Sequence, residues 1–219
     1  MPTLKGFIFD LDGVLVDTAR YHFQAWQRLA SEMGIPFTAT QNEQLKGVSR
    51  KDSLDKILEW GQKSLPQEEK ERLMQQKNEW YLELISELTP EDALPGALDF
   101  LQQARQLNLK LALGSASRNA RRILEGLQIT SSFETIVDGN LVTQSKPNPA
   151  VFLAGAKGIS LQPEECVVFE DSIAGVEAAR QGQFKSVGIG KKNILKKAHW
   201  VIPGLDKTSP SEVINKVSF

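Results

Sequence analysis

The chain has 219 residues, 41% of them hydrophobic, with a formal net charge of −1 at pH 7. That length buries a sizeable core with room for an inserted module, and the balanced, scattered charge gives no field that would draw nucleic acid or an anionic membrane. The lone Cys166 excludes an internal disulfide, no apolar run approaches the ~20 residues that cross a bilayer, and Met1-Pro2-Thr3-Leu4-Lys5-Gly6 has no secretion-signal pattern, so a cytoplasmic protein is expected.

In chain order, Phe7-Ile8-Phe9 reads as a strand buried on both faces. From about Asp17 to Leu88 no strand pattern follows. Phe23, Trp26, Leu29, Ala30 and Met33 recur at helical spacing until Gly34 and Pro36 stop them, and Leu54, Ile57 and Leu58 mark a second helix. Ser64 with Gln67 reads as a capping box opening another, which carries Leu73, Tyr81, Leu84 and Ile85. Strand patterns resume at Leu111-Ala112-Leu113, Cys166-Val167-Val168-Phe169 and Ser186-Val187-Gly188-Ile189, with helical stretches between. Alternation of this kind predicts right-handed crossovers and a parallel sheet, with ligands at the strands' carboxyl ends. The expected architecture is α/β: a Rossmann-like parallel-sheet core domain (residues 1–16 and 90–219) with an inserted four-helix cap domain (17–89). The connections near Leu15–Thr18 and Thr89–Pro95 are candidate hinges.

The first strand runs directly into Asp10, Asp12 and Gly13. Alternate residues of an extended segment point the same way, so both carboxylates can face one ligand while Gly13 turns the backbone aside. One acid can then attack while the other handles protons, although an isolated pair would read more plainly as a turn. Ser115, after the strand at 111–113, can offer its hydroxyl and neighbouring amides, that of Ala116 among them, to a phosphate. The plainer reading of such a serine is a helix cap, and Ser117 fits that role for a helix beginning near Arg118. Lys146 precedes Pro147, which favours extended backbone and holds an ammonium near wherever this loop points, although taken alone such a lysine reads as a solvated one. Glu170-Asp171 closes a third strand as Asp10 and Asp12 close the first. Several carboxylates around one crevice are costly unless a cation neutralises them, and an all-oxygen set suits Mg²⁺.

Together, Asp10-Leu11-Asp12-Gly13-Val14, Ser115, Lys146-Pro147 and Glu170-Asp171-Ser172 resemble the motifs of the haloacid-dehalogenase-like phosphotransferases, over essentially the whole chain. The resemblance implies that Asp10 is phosphorylated, that Asp12 is the general acid and base, and that Ser115, Ala116 and Lys146 hold the transferring phosphate. It also implies a Mg²⁺ ion held by Asp10, the main-chain oxygen of Asp12, and Glu170 and Asp171, with Asp171 the favoured direct ligand. Tyr21-His22-Phe23-Gln24-Ala25-Trp26, the segment Leu45–Leu54 and Lys77-Asn78 are similar to the β-phosphoglucomutase branch, which interconverts β-glucose 1-phosphate and glucose 6-phosphate. That likeness implies an Arg50 grip on the phosphate not being transferred, assisted by Ser117 and Asn119. His22 and Lys77 would position Asp12, Lys46 and Gly47 would lie in the substrate loop, and Thr18 in the hinge. By residue type, His22, Lys46, Arg50 and Lys77 read as ordinary helix residues, so these roles rest on the resemblance. One departure is visible: after Lys146 the family often continues Pro-x-Pro-Asp, whereas Pro147-Asn148-Pro149-Ala150 lacks the capping carboxylate. The expected protein is a monomer acting on a small sugar phosphate, without nucleic-acid or membrane partners. A capped sugar-phosphate phosphatase would share the core motifs, and a non-catalytic phosphosugar-binding module is opposed by the intact Asp10 and Asp12.

Overall fold

The computed structural model describes residues 4–217. Six strands, β1 (Gly6–Phe9), β2 (Lys110–Gly114), β3 (Thr135–Val137), β4 (Cys166–Glu170), β5 (Lys185–Ile189) and β6 (Trp200–Ile202), form one parallel sheet in the order β3-β2-β1-β4-β5-β6. β1 is central, and the chain turns to one side of it for β2 and to the other for β4. That reversal opens a crevice beyond the strands' carboxyl ends. Register decides what meets there: Phe9 pairs with both Leu113 and Phe169, and the Asp10 amide extends the ladder to the Phe169 carbonyl at 3.0 Å. Asp10, Glu170 and the loop after Gly114 are therefore level.

The side-chain period of two sends Phe7 and Phe9 to one face of the sheet and Ile8 to the other. Phe7 and Phe9 pack with Phe100 and Phe169, with Phe9 stacked on Phe169 at 4.6 Å and Phe7 edge-on to it at 5.0 Å. Ile8 joins Ala112, Val168, Phe152 and Phe184 on the opposite face. Both faces of β1 are thus apolar, which is why its sequence is a continuous run rather than an alternation. The two strands not predicted, β3 and β6, have three residues each, too few for a period to register.

Between β1 and β2 lie α1 (Ala19–Glu32), α2 (Ala39–Glu43), α3 (Arg50–Trp60) and α4 (Gln67–Leu84). They share an apolar cluster of their own, built on Trp26, Leu29, Ile35, Leu54, Ile57 and Leu73. Side chains cap the starts of α2 and α3. Thr38 and Gln41 form a reciprocal capping box on α2, and Ser49 accepts the Asp52 amide on α3. The Ser64 capping box does not form. Pro66 occupies the cap position of α4 without a side-chain bond, while Glu68 and Glu69 in the first turn favour the positive helix end. Leu84, expected on the buried stripe, is exposed, because the stripe runs Leu73, Lys77, Tyr81, Ile85 in steps of four.

After β2 come α6 (Ala120–Gly126), α7 (Ala150–Gly158), α8 (Ile173–Gln181) and α9 (Pro210–Val217), with α5 (Ala97–Gln106) preceding β2. Ser117 is not the cap of α6, which begins at Ala120 behind Asn119. It instead accepts the Asn119 amide at 3.2 Å. The missing carboxylate at Ala150 is compensated by its neighbour, since Asn148 Oδ1 accepts the Ala150 amide at 3.0 Å. No helix among the described residues is long and apolar enough to cross a membrane.

The aromatic cluster sets an expectation for stability. Phe169→Ala should cost about 3–5 kcal/mol, because the rings around it cannot collapse into the space without leaving the sheet register. Urea unfolding should show a lower midpoint at unchanged slope.

Candidate active site

A cleft of about 770 Å³ opens where the helices inserted after β1 face the carboxyl ends of the strands. Asp10 leaves β1 at its floor. Lys146 Nζ lies 2.6 Å from Asp10 Oδ1 and 2.7 Å from Glu170 Oε1, with the lysine side chain and that of Glu170 wholly buried. Glu170 Oε2 accepts the Ser172 amide at 2.7 Å. Burial pushes the Asp10 carboxyl up to about 6; Lys146 opposes this and the Glu170 charge adds to it. For Lys146, burial works toward the neutral form, but the Asp10 and Glu170 carboxylates outweigh it and hold the ammonium more firmly charged than usual.

Asp10, Glu170 and Asp171 each offer an oxygen within 4.8 Å of the others. Burial, with the charge of Glu170, pushes Asp171 up to about 7 despite Lys46. Hard oxygen donors this close, two of them reluctant to ionise, fit a divalent cation, which would supply the missing positive charge. Gly13 permits this proximity: its φ is +80°, and a Cβ there would collide with the Asp171 carboxylate. Lys46 Nζ lies 3.1 Å from Asp171 Oδ2 and 3.2 Å from Glu43, on the carboxylate side of the cleft.

Asp12 accepts a hydrogen bond from the buried Thr18 hydroxyl at the entry to α1. Burial, then the charges of Asp10 and Asp171, hold its carboxyl well above the usual range, a condition that suits a proton donor. Ser115 is buried, its amide bonded to the Val137 carbonyl at 3.0 Å and its hydroxyl accepting the Ser117 amide at 3.1 Å. The Ser115 amide is thus committed to the sheet, while Ala116 lines the cleft.

A second polar group stands at the helical wall. Arg50 begins α3, and its Nη2 donates to Asn78 Oδ1 at 2.6 Å, to which Asn119 Nδ2 also donates at 2.9 Å. Two donors thus meet on one neutral acceptor. Burial and the neighbouring Arg118 guanidinium lower the Arg50 pKa. Asn78 and Arg118 were not among the expected site residues. Asn78 follows Lys77 in a motif already noted, but its task depends on α4 meeting the β2–α6 loop. Nearby, Lys77 Nζ is 2.8 Å from His22 Nδ1 and sits over the rings of Trp26 and Tyr81 at 4.8 and 4.7 Å. His22 itself stacks on Tyr81 at 4.1 Å. Burial, then Arg50, lowers the Lys77 pKa well below its ordinary value; burial, with Lys77 and Arg50, does the same to His22. A lysine in the apolar stripe of α4 is the sequence signal that marks this residue without any resemblance. Cys166 is the buried first residue of β4, its thiol pushed up to about 12 by burial.

This fold and these motifs match the haloacid dehalogenase-like hydrolase family over residues 4–183, and the chain belongs to that family. Among its relatives, a β-phosphoglucomutase of Bacillus subtilis is 44% identical over 190 residues, covering 86% of this chain and 84% of that one. A phosphorylated-carbohydrates phosphatase of Thermotoga maritima is 34% identical over 187 residues, covering 85% and 82%. The crystal structure of a β-phosphoglucomutase from Clostridium difficile superposes with a TM-score of 0.96 at 41% identity, covering 98% of this chain and 97% of that one.

The buried lysine generates a test of cost against use. Lys77→Met should stabilise the protein by about 1–3 kcal/mol near neutral pH, since folding no longer has to strip an amine of its water and proton and the apolar stem is kept. The folded-state pKa is depressed, so the unfolded chain holds a proton that the folded one sheds, and parent stability rises with pH toward the ordinary lysine value. The advantage of the variant should therefore shrink as pH rises, and urea titrations at neutral and alkaline pH measure it.

Proposed function

We propose that this enzyme is a β-phosphoglucomutase, carrying phosphate on Asp10 and passing through β-glucose 1,6-bisphosphate. The observation that carries the reading is a cleft with two polar ends. Asp10, Lys146 and Ser115 stand at one, and Arg50, Asn78 and Asn119 at the other. A substrate with one phosphate reacting and one waiting needs both. The sequence likeness to β-phosphoglucomutases over most of the chain supports the same reading.

In the first half of the cycle, the sugar's C6 hydroxyl oxygen attacks the phosphorus of phospho-Asp10, Asp12 takes the hydroxyl proton, and the phosphorus–Asp10 bond breaks. The bisphosphate then turns end for end. Asp10 attacks the phosphorus at C1, Asp12 returns its proton to the departing C1 oxygen, and glucose 6-phosphate leaves with phospho-Asp10 restored. Lys146, Ser115 and Ala116 hold the transferring group, whose spread charge requires positioning and neutralisation more than covalent help. Asp10, Glu170, Asp171 and the Asp12 carbonyl would hold Mg²⁺, whose positive charge offsets that of the phosphoryl oxygens. Arg50, with Ser117 and Asn119, grips the distal phosphate; His22 and Lys77 steer Asp12; Lys46 and Gly47 contribute from the substrate loop. The division into a core (1–16, 90–219) and a cap (17–89) that closes about Thr18 belongs to the same reading, as does a cytoplasmic monomer. The main competitor is a sugar-phosphate phosphatase, because water could replace the sugar hydroxyl and a 34% identical relative bears that name.

The deciding assay supplies β-glucose 1-phosphate with a priming bisphosphate and follows glucose 6-phosphate and free phosphate together. Predominant free phosphate would establish the phosphatase. Two further outcomes are expected. Exhaustive chelation should stop turnover, and added Mg²⁺ should restore it. Arg50→Ala should lower sugar-phosphate conversion by about 10²-fold or more, since it removes a bidentate, charge-assisted grip, while Asp10 still accepts phosphate from acetyl phosphate. Arg50→Lys should recover little of the loss.

A further inference from the structure

Ser145 and Asp52 have no part in the chemistry above, yet both border the cleft. Asp52 Oδ2 accepts hydrogen bonds from the Ser49 hydroxyl at 2.7 Å and from the Ser145 hydroxyl at 2.6 Å, and the Ser49 amide donates to Ser145 Oγ at 3.3 Å. Capping α3 requires less than this. The bond from the Asp52 amide to Ser49 Oγ, at 3.2 Å, already caps the helix, and a first-turn carboxylate already complements its positive end. What capping does not explain is a loop serine 93 positions further along the chain, held on the same carboxylate oxygen.

The neighbours of these residues give the contact its meaning. Ser145 immediately precedes Lys146, and Ser49 immediately precedes Arg50. The ammonium of Lys146 is already fixed by Asp10 and Glu170. A second contact brackets the same lysine: a Cβ on Gly47, whose φ is +71°, would lie 3.3 Å from Lys146 Cδ and 3.0 Å from Ser172 Oγ. The loop leading into α3 is therefore seated on the stem of Lys146, and the Ser49–Asp52–Ser145 triangle pins the helix start to the residue beside it. We infer that Ser145 and Asp52 are positioning residues whose hydrogen bond fixes the distance between the Lys146 and Arg50 phosphate grips. The inference rests on the two-ended reading of the cleft. A bisphosphate has a set length, and a misplacement of about an ångström between its two grips lowers transfer steeply.

The test is a double-mutant cycle on kcat/KM for consumption of β-glucose 1-phosphate, with Ser145→Ala, Asp52→Ala and both together. A hydrogen bond to a carboxylate supports an expected loss of about tenfold for each single variant. The double variant should be no worse than the worse single one, because the same bond is lost in each. Ser145→Thr, which keeps the hydroxyl, should recover most of the activity. Phosphorylation of Asp10 by acetyl phosphate, which uses one grip alone, should stay near the parent rate in Ser145→Ala. Losses that multiply in the double variant, or an equal fall with acetyl phosphate, would overturn the inference and assign these residues to local folding. The identity of the product in the parent, glucose 6-phosphate or free phosphate, separately decides the mutase reading, since consumption can be followed in either case.

Discussion

Lys146 stands between Asp10 and Glu170 with its charge out of water, and the arrangement of the site follows from the cost of keeping it there. Burying two carboxylates beside a third at Asp171 would be prohibitive without compensation. The ammonium offsets part of that charge, the Ser172 amide satisfies another Glu170 oxygen, and what remains is a negative pocket that resists full ionisation. Such a pocket fits a divalent cation, whose charge would lessen the repulsion of an incoming phosphate. Parallel register makes this possible, because Phe9 pairs with Phe169 and the residue following each is a carboxylate.

The helical wall reverses that electrostatic sense. Arg50 is partly and Lys77 wholly desolvated, the exposed Arg118 guanidinium stands near Arg50, and none of the three has a carboxylate within salt-bridge distance among the described residues. Cations left unpaired in this way cost stability, and the cost is intelligible if an anion is to arrive. Asn78 orders this wall, since its amide oxygen receives both Arg50 and Asn119. The cleft thus runs from an acid-rich floor to a base-rich wall.

Much of this was written locally in the chain. Continuous apolar runs marked the long strands, since strands covered on both faces leave no polar positions. The acids stood out because each follows such a run directly, and a strand's end is where the backbone ladder stops and side chains become available. Failures had local causes too. Three-residue edge strands carry no measurable period, Ser64 looked like a cap although Pro66 holds that position, and Leu84 fell off a stripe whose spacing of four was carried by Lys77.

The sequence by itself determined the alternation of strand and helix, the α/β class, the helical insertion between the first two strands, and the residues Asp10, Asp12, Ser115, Lys146, Glu170 and Asp171 as chemistry in search of one edge. Those are consequences of period and adjacency, which a chain states within a few residues. Tertiary structure decided which polar groups share a partner: Arg50 and Asn119 on Asn78, Lys46 on Asp171, Ser145 on Asp52. Such pairs join residues far apart in the chain, and no local pattern records them, because the distance between two helices and a sheet is set by how their apolar faces pack and not by any spacing along the backbone.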